Sequence, residues 1–279
     1  MLTLNIWNLS GPWRARREEI GAWLRLLDPD LVCLQEVVEA ADGRNQARWL
    51  AEAHAGAGGA AVNVAFGASA DLGGARFGNA VLSRWPVDAS ATTALPGSPF
   101  ADDVARGVLH VRTGGLDVFC THLAWRLDDA TTRARQAVAL ADWVAERRDD
   151  ASPFPPIVCG DFNAEPDSDE MRFLTGLAAL EGRGVFFQDA WRVAGGPGPG
   201  HTWDNRNPFA ATEWEPDRRI DYVLVGWRHG EGAALVQSAR LVCDRALTGT
   251  FAADHFGLLA EVARRPAVGP PPAGAGPAT

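Results

Sequence analysis

The sequence predicts an α/β fold. Short apolar runs of strand length recur along the whole chain, and segments with helical spacing separate several of them. A hydrophobic content of 47% over 279 residues is ample for a deep core. That length fits one large α/β domain or two small ones. No repeat and no internal linker divides it, so one domain over residues 1–265 is expected. The Pro/Gly/Ala tail at 266–279 has nothing to bury and is expected to be disordered.

Residues 2–8 alternate Leu2, Leu4 and Ile6 against Thr3, Asn5 and Trp7, and predict a strand ending at Asn8. Gly11-Pro12 makes a turn, and Ile20, Trp23, Leu24 and Leu27 give helical spacing over 13–27. Asp28-Pro29 stops that helix, and 30–36 reads as a buried strand ending in Gln35-Glu36. A helix is expected over 44–54, then strands at 61–67 and 78–84 joined by a Gly-rich turn containing Arg76. Residues 88–102, rich in Ser, Thr, Pro and Asp, read as a loop. Strands at 104–112 and 116–122 form a hairpin through Thr113-Gly114-Gly115. An Ala-rich helix follows over 130–148.

Ile157-Val158-Cys159-Gly160-Asp161-Phe162-Asn163 is a buried strand with a polar end, and a helix is expected over 168–180. A short strand at 185–191 precedes the Gly/Pro loop 195–200 and the polar, aromatic segment 201–209, expected at the rim of a site. Arg218–Val225 starts polar and runs into a buried strand, and 235–243 and 256–262 are the last strands.

The formal charge of −9 and pI near 5.2 argue against non-specific binding to phosphate backbones or anionic membranes. All 26 basic residues are Arg, each a planar fork suited to phosphate or carboxylate. The clearest basic cluster, Arg14, Arg16 and Arg17, is offset by Glu18 and Glu19 and reads as a solvated helix face. Cys33, Cys120, Cys159 and Cys243 sit in apolar runs with no zinc spacing, as buried reduced thiols would. No apolar run approaches the roughly 20 residues that cross a bilayer, and no targeting segment precedes the first strand. A monomeric, cytoplasmic protein is expected.

Strand ends carry the candidate chemistry: Asn8, Gln35-Glu36, His122 and Asp161 with Asn163, while Asp254-His255 precedes the last strand and Asp221 lies near the start of another. Apolar strands that repeatedly finish this way imply one shared polar rim. Carboxylates and neutral amides suit a hard cation such as Mg²⁺, with Mn²⁺ as an alternative, better than zinc. No Gly-x-Ser-x-Gly elbow occurs, and a phosphate loop ending in Gly-Lys is ruled out by the absence of Lys. Metal-assisted attack of water on a phosphate ester is the chemistry left.

Seven short motifs then occur in order: Asn-Ile-Trp-Asn at 5–8, Leu-Gln-Glu at 34–36, Gly-Asn-Ala-Val-Leu-Ser-Arg at 78–84, Thr-His-Leu at 121–123, Gly-Asp-Phe-Asn at 160–163, Arg-Ile-Asp-Tyr at 219–222 and Ala-Asp-His at 253–255. In these the chain resembles the endonuclease/exonuclease/phosphatase superfamily of DNase-like Mg²⁺ phosphoesterases. The resemblance implies a four-layer sandwich: two packed, mainly antiparallel β-sheets flanked by helices. It implies Glu36 as principal metal ligand, with Asn8 and Asp254 completing the metal region. It further implies Asp161 orienting or deprotonating the attacking water, Asn163 touching phosphate, His122 and His255 flanking it, and Asp221 fixing the His255 tautomer. Asp221 pairing with Arg218 or Arg219 is the structural alternative.

The family's last motif commonly reads Ser-Asp-His, and Ala253 replaces that Ser here. The single tyrosine, Tyr222, belongs to a strand motif, so the active-site Tyr of the abasic-site endonuclease branch has no counterpart. His54, His110, His201 and His229 fit no motif, while Trp125, Trp203 and Trp214 fall in loops where they could line a pocket or pack; Trp7, Trp23 and Trp191 are expected in the core. The leading reading is a phosphoesterase acting on a small molecule or lipid headgroup. A DNA or RNA nuclease is the alternative, disfavoured by net charge, and a catalytically silent binding module is the third.

Overall fold

Two six-stranded sheets face each other, with helices on both outer surfaces. The computed structural model of the chain describes residues 1–56, 61–100, 103–227 and 233–264. The first sheet is built from β1 (Leu2–Asn5), β2 (Leu31–Glu39), β3 (Asn63–Leu72), β4 (Ala75–Ser83), β11 (Leu235–Val242) and β12 (Gly257–Ala263), in the order β11-β12-β1-β2-β4-β3. The second is built from β5 (Val87–Ala94), β6 (Gly107–Thr113), β7 (Leu116–His122), β8 (Ile157–Asp161), β9 (Phe187–Asp189) and β10 (Asp221–Gly226), in the order β5-β6-β7-β8-β10-β9. Among the described residues only β1–β2 and β7–β8 run parallel. The expected mainly antiparallel sandwich is what forms.

Strand alternation generates the layers. In β2, Cys33 faces the other sheet while Val32 and Leu34 face outward; in β8, Cys159 faces in and Val158 out. The inward set meets between the sheets with Val81, Leu109, Val118 and Val223. Cys33, Cys120 and Cys159 all lie in that layer as free, buried thiols. The outward set of the first sheet is covered by α1 (Trp13–Leu27) and α2 (Gln46–Ala55) through Ile20, Trp23, Leu24 and Leu50. That of the second is covered by α3 (Ala130–Arg147) and α4 (Asp169–Leu174) through Val138, Leu140, Val144 and Phe173. Each fully buried Leu, Ile or Phe contributes on the order of 2 kcal/mol. No helix among the described residues is long and apolar enough to cross a membrane.

The structure departs from the sequence expectations at several points. β1 stops at Asn5, not Asn8, and the chain then turns with Trp7 and Asn8 at φ 53° and 40°. The β3–β4 turn is Gly73-Gly74, with Arg76 already inside β4. Val87–Ala94, expected as loop, is the edge strand β5. Its Ala, Ser and Thr side chains carry no apolar period because that edge is largely exposed. The segment 185–191 splits into β9 and the short helix α5 (Ala190–Ala194), capped by the Asp189 carboxylate on Trp191 N–H at 3.0 Å. The helix expected over 168–180 ends at Leu174.

Gln35 points into the inter-sheet core, donating to Cys120 Sγ at 3.2 Å, and takes no part in the rim. On α1, Arg14 and Glu18 are exposed and Arg17 is half-buried, as a solvated face requires, but Arg16 and Glu19 are buried. Trp23 lies in the core as expected, whereas Trp7 and Trp191 are only partly buried. His229 and the tail at 266–279 lie outside the described residues.

Candidate active site

The carboxyl ends of the two parallel pairs point to the same edge of the sandwich. There β1 delivers Asn5, β2 Glu36, β7 His122 and β8 Asp161. The antiparallel β10 begins at that edge with Asp221, and the segment before β12 brings Asp254 and His255. Ligand sites outside the carboxyl ends of parallel strands are a general consequence of such topology.

Asp161 is the centre of the arrangement. It is 1% exposed, and its Oδ2 accepts from Asn5 Nδ2 at 3.0 Å while its Oδ1 accepts the Asn163 N–H at 2.9 Å. The same Oδ2 lies 3.4 Å from His122 Nε2 and 3.7 Å from His255 Nε2. Burial, with the Asp221 charge nearby, raises the Asp161 pKa to about 6 against the opposing pull of His255. Gly160 makes the close β7–β8 approach here possible, since at φ 150° a Cβ would collide with the Thr121 carbonyl oxygen.

The two imidazoles are held in different states. Burial would lower the pKa of His255, but the Asp221 and Asp161 carboxylates outweigh it and raise it to about 10. Its Nδ1–H donates to Asp221 Oδ2 at 2.8 Å, and Trp203 packs edge-on against the ring at 5.1 Å. His122 is pulled well below its ordinary value by burial and by the Arg106 charge. Arg106 Nη1 stands 3.0 and 3.1 Å from the two ring nitrogens of His122, and Asn163 Nδ2 stands 3.1 Å from Nε2. The short His122–Asp161 approach is therefore not an ion pair; His255 is the charged imidazole.

Glu36 sits at a β-bulge, where the β2–β4 register shifts between Leu34 and Val37, with φ 61°. Such backbone costs of order 1–3 kcal/mol and persists only where its surroundings impose it. The strained turn leaves the carboxylate partly open to the cleft. Its Oε2 accepts from Asn8 Nδ2 at 2.7 Å and its Oε1 from Asn5 Nδ2 at 3.4 Å. The Asn8 oxygen is occupied by the Ser10 N–H at 2.9 Å, so Asn8 presents its amide nitrogen to Glu36.

Asp254 is buried, with Oδ1 lacking any partner. Burial, opposed by His255 and reinforced by Glu36, raises its pKa to about 7. Asp221 Oδ1 is likewise unpartnered. The orphaned Asp254 oxygen, close enough to feel the Glu36 charge, fits a hard divalent cation, which supplies the missing positive charge. Asp161, Asp221 and His255 also bring ligand-type atoms within 4.8 Å of one another, but two of the three are spent on their mutual hydrogen bond.

Sequence reasoning missed four residues here. Asn5 bridges Asp161 and Glu36, and its place three residues before Asn8 in the same motif was the available signal. Arg106 contacts His122 and Asp103 from the start of β6, with no motif to mark it. Asn207 Nδ2 donates to the carbonyls of Ala253 and Asp254 at 2.8 and 2.9 Å, fixing the segment that carries His255. Arg16 donates to the carbonyls of Ile6, Trp7, Asn8, Ser10 and Ala252, tying the β1–α1 turn to the segment before Asp254.

Asp221 serves His255 and not an arginine, because Arg218 pairs with Glu215 and Arg219 with Asp189. Tyr222 is buried, its hydroxyl donating to Ala164 and Arg219 carbonyls. Trp203 packs on His255, Trp125 lines the cleft beside Glu36, and Trp214 is 92% exposed. That cleft, about 490 Å³, has Asn8, Glu36 and Arg106 on its polar side and Leu9, Val38, Phe77 and Trp125 among its apolar lining.

The profile of the Endonuclease/Exonuclease/phosphatase family matches residues 2–238. The uncharacterized protein YbhP of Escherichia coli K12 is 33% identical over 152 residues, 50% of this chain and 56% of YbhP. The chain thus spans about half the length of the curated relatives it matches. An endonuclease/exonuclease/phosphatase from Bacteroides vulgatus superposes with a TM-score of 0.69 at 19% identity, covering 95% of this chain and 98% of that one. One from Beutenbergia cavernae gives 0.68 at 24% identity, covering 95% and 71%. D. rerio TDP2 complexed with single strand DNA product gives 0.68 at 20% identity, covering 92% and 95%.

Proposed function

The chain belongs to the endonuclease/exonuclease/phosphatase family, and we propose that it is a Mg²⁺-dependent phosphoesterase acting on a small molecule or a lipid headgroup, with Mn²⁺ as the alternative ion. The observation that carries this is the placement of the buried Asp161 carboxylate against Asn5, His122 and His255, beside Glu36 and the unpartnered Asp254.

Glu36 and Asp254 would hold the cation, with Asn5 and Asn8 orienting Glu36 through their amide nitrogens. The bound cation would neutralise charge on the phosphoryl oxygens. Asp161, with a pKa of about 6, is ionised at neutral pH yet basic enough to orient water and take its proton. Asn5 fixes the oxygen that does so. His255, kept protonated by Asp221, faces the same oxygen and would stabilise charge developing on phosphate. Arg106, which lines the cleft, and Asn163 hold the neutral His122 beside this group. The apolar side of the cleft would take the organic part of the ester.

Purified protein with Mg²⁺ should hydrolyse bis(p-nitrophenyl) phosphate or p-nitrophenyl phosphate. Asp161→Asn and His255→Ala should each lose activity by about 100-fold or more while keeping native circular dichroism. Full activity in either folded variant refutes the assignment. A nuclease reading draws on the fold shared with TDP2 in complex with a single strand DNA product. It requires cleavage of DNA that weakens steeply with salt.

A further inference from the structure

Beside the cleft lies a second recess of about 560 Å³, enclosed by the N-terminal half of α1, the turn before α2 and the first turn of α2. Its lining holds four arginines, Arg14, Arg17, Arg44 and Arg48, against the single carboxylate of Glu52. In a chain of net charge −9 this is a local excess of positive charge. The recess adjoins the candidate active site, because Leu9 and Val38 line both cavities. Leu9, 52% exposed, forms the sill between them.

Arg17 pairs with Glu18 and Arg44 with Asp42. Arg14 and Arg48, by contrast, have no ion pair or side-chain hydrogen bond among the described residues. Glu39, the acid that feels the Arg48 charge, is already paired with Arg76. The Arg17 guanidinium carbon lies over the Trp49 ring, 4.7 Å from its centroid, which holds the side chain at the recess.

Resting on the phosphoesterase reading, we propose that this recess is a subsite for a second phosphate group of the substrate, seated while the scissile phosphate lies beside Glu36 and Asp161. With Arg17 and Arg44 paired and Glu52 facing the recess, Arg14 and Arg48 leave a positive charge unmatched, and a phosphate monoester, close to a dianion at neutral pH, accepts guanidinium forks pairwise. The substrate class is accordingly a small bis-phosphorylated ester.

The test uses the full chain and Arg14→Ala/Arg48→Ala, two exposed sites whose loss opens no core. Hydrolysis of the p-nitrophenyl ester of thymidine 5′-phosphate is compared with that of the same ester carrying a 3′-phosphate. Wild type should prefer the bis-phosphorylated ester through KM, and the double variant should lose that preference by about tenfold or more. An equal preference in both proteins overturns the subsite. So does a loss confined to a ten-residue oligothymidylate, which would assign the recess to a strand.

A binding arm separates this proposal from the catalytic reading. Inorganic tripolyphosphate is titrated calorimetrically in EDTA into wild type, the double variant and His255→Ala. Weakening in the double variant but not in His255→Ala supports the recess even if no ester is hydrolysed. The converse pattern places the anion at the catalytic rim and overturns it.

Discussion

His255 Nδ1 lies 2.8 Å from Asp221 Oδ2, and neither residue is open to solvent. The imidazole is thus an internal cation tied to one strand of the second sheet, carried by a segment that leads into the first. The pair links the two halves of the sandwich chemically.

Asp221→Asn should remove the counter-charge while keeping the shape. The His255 pKa is raised, so its contribution to stability is fully present below about 6.5 and lost as pH rises through about 10. In the variant that loss should move to lower pH and flatten the dependence of Tm between pH 7 and 10. Activity should fall by about 100-fold, with the basic limb of the pH–rate profile displaced downward. Imidazole NMR titration of His255 checks the cause, and an unmoved pKa would remove Asp221 from this role.

Asn5→Ala tests a residue that sequence reasoning passed over. Its amide bond to Asp161 is one of the contacts lowering that carboxyl's pKa. Without it the pKa rises further above about 6, and the acidic limb of the pH–rate profile should shift to higher pH. A loss of about 10-fold at neutral pH is expected, larger at pH 5.5 than at pH 8. A uniform loss at all pH values would mean that Asn5 does not act through Asp161.

Why Asn8 was legible and Asn5 was not lies in the limits of alternation. The run Leu2 to Trp7 alternates cleanly, so the strand reads as continuing to Asn8. The positive φ of Trp7 and Asn8 ends it early, and no glycine marks the turn. The bulge that aims Glu36 is equally silent, because no glycine or other turn residue marks its αL backbone. α1 and the three apolar layers were readable because burial repeats with a helix or strand period. Arg106, Asn207 and Arg16 were not, since each works through carbonyls or a ring brought close only by folding. Edge strand β5 failed for the opposite reason: with little to bury, it leaves no pattern.

Arg16→Met should be among the most damaging single changes outside the rim. The guanidinium is fully buried, has no carboxylate partner, and satisfies five carbonyls, while burial lowers its pKa to about 10. Removing it orphans those oxygens at about 1–3 kcal/mol each where water cannot enter. A loss of about 3 kcal/mol or more is expected in urea unfolding, together with weaker Mg²⁺ affinity as the turn carrying Asn8 loosens. Arg16→Lys should rescue little, because one ammonium cannot reach both Ser10 and Ala252.

The metal-free rim should be a site of stored instability that a cation relieves in a pH-dependent way. Asp161 and Asp254 have pKa values raised to about 6 and about 7. A carboxyl raised on folding stabilises the native state when protonated, and that contribution is lost as pH rises through the folded value. In EDTA, stability should therefore decline between about pH 4 and pH 7.5. Mg²⁺ binds the ionised forms, so its effect runs the other way: at 10 mM it should raise Tm by a few degrees at pH 7.5 and by much less at pH 5.5, where protons compete. Glu36→Gln should abolish the Mg²⁺ increment, since it removes a ligand charge. Asp254→Asn should do the same while also lessening the decline in EDTA, because the group that resists ionisation is gone. An Mg²⁺ increment that survives both substitutions would move the cation elsewhere on the molecule.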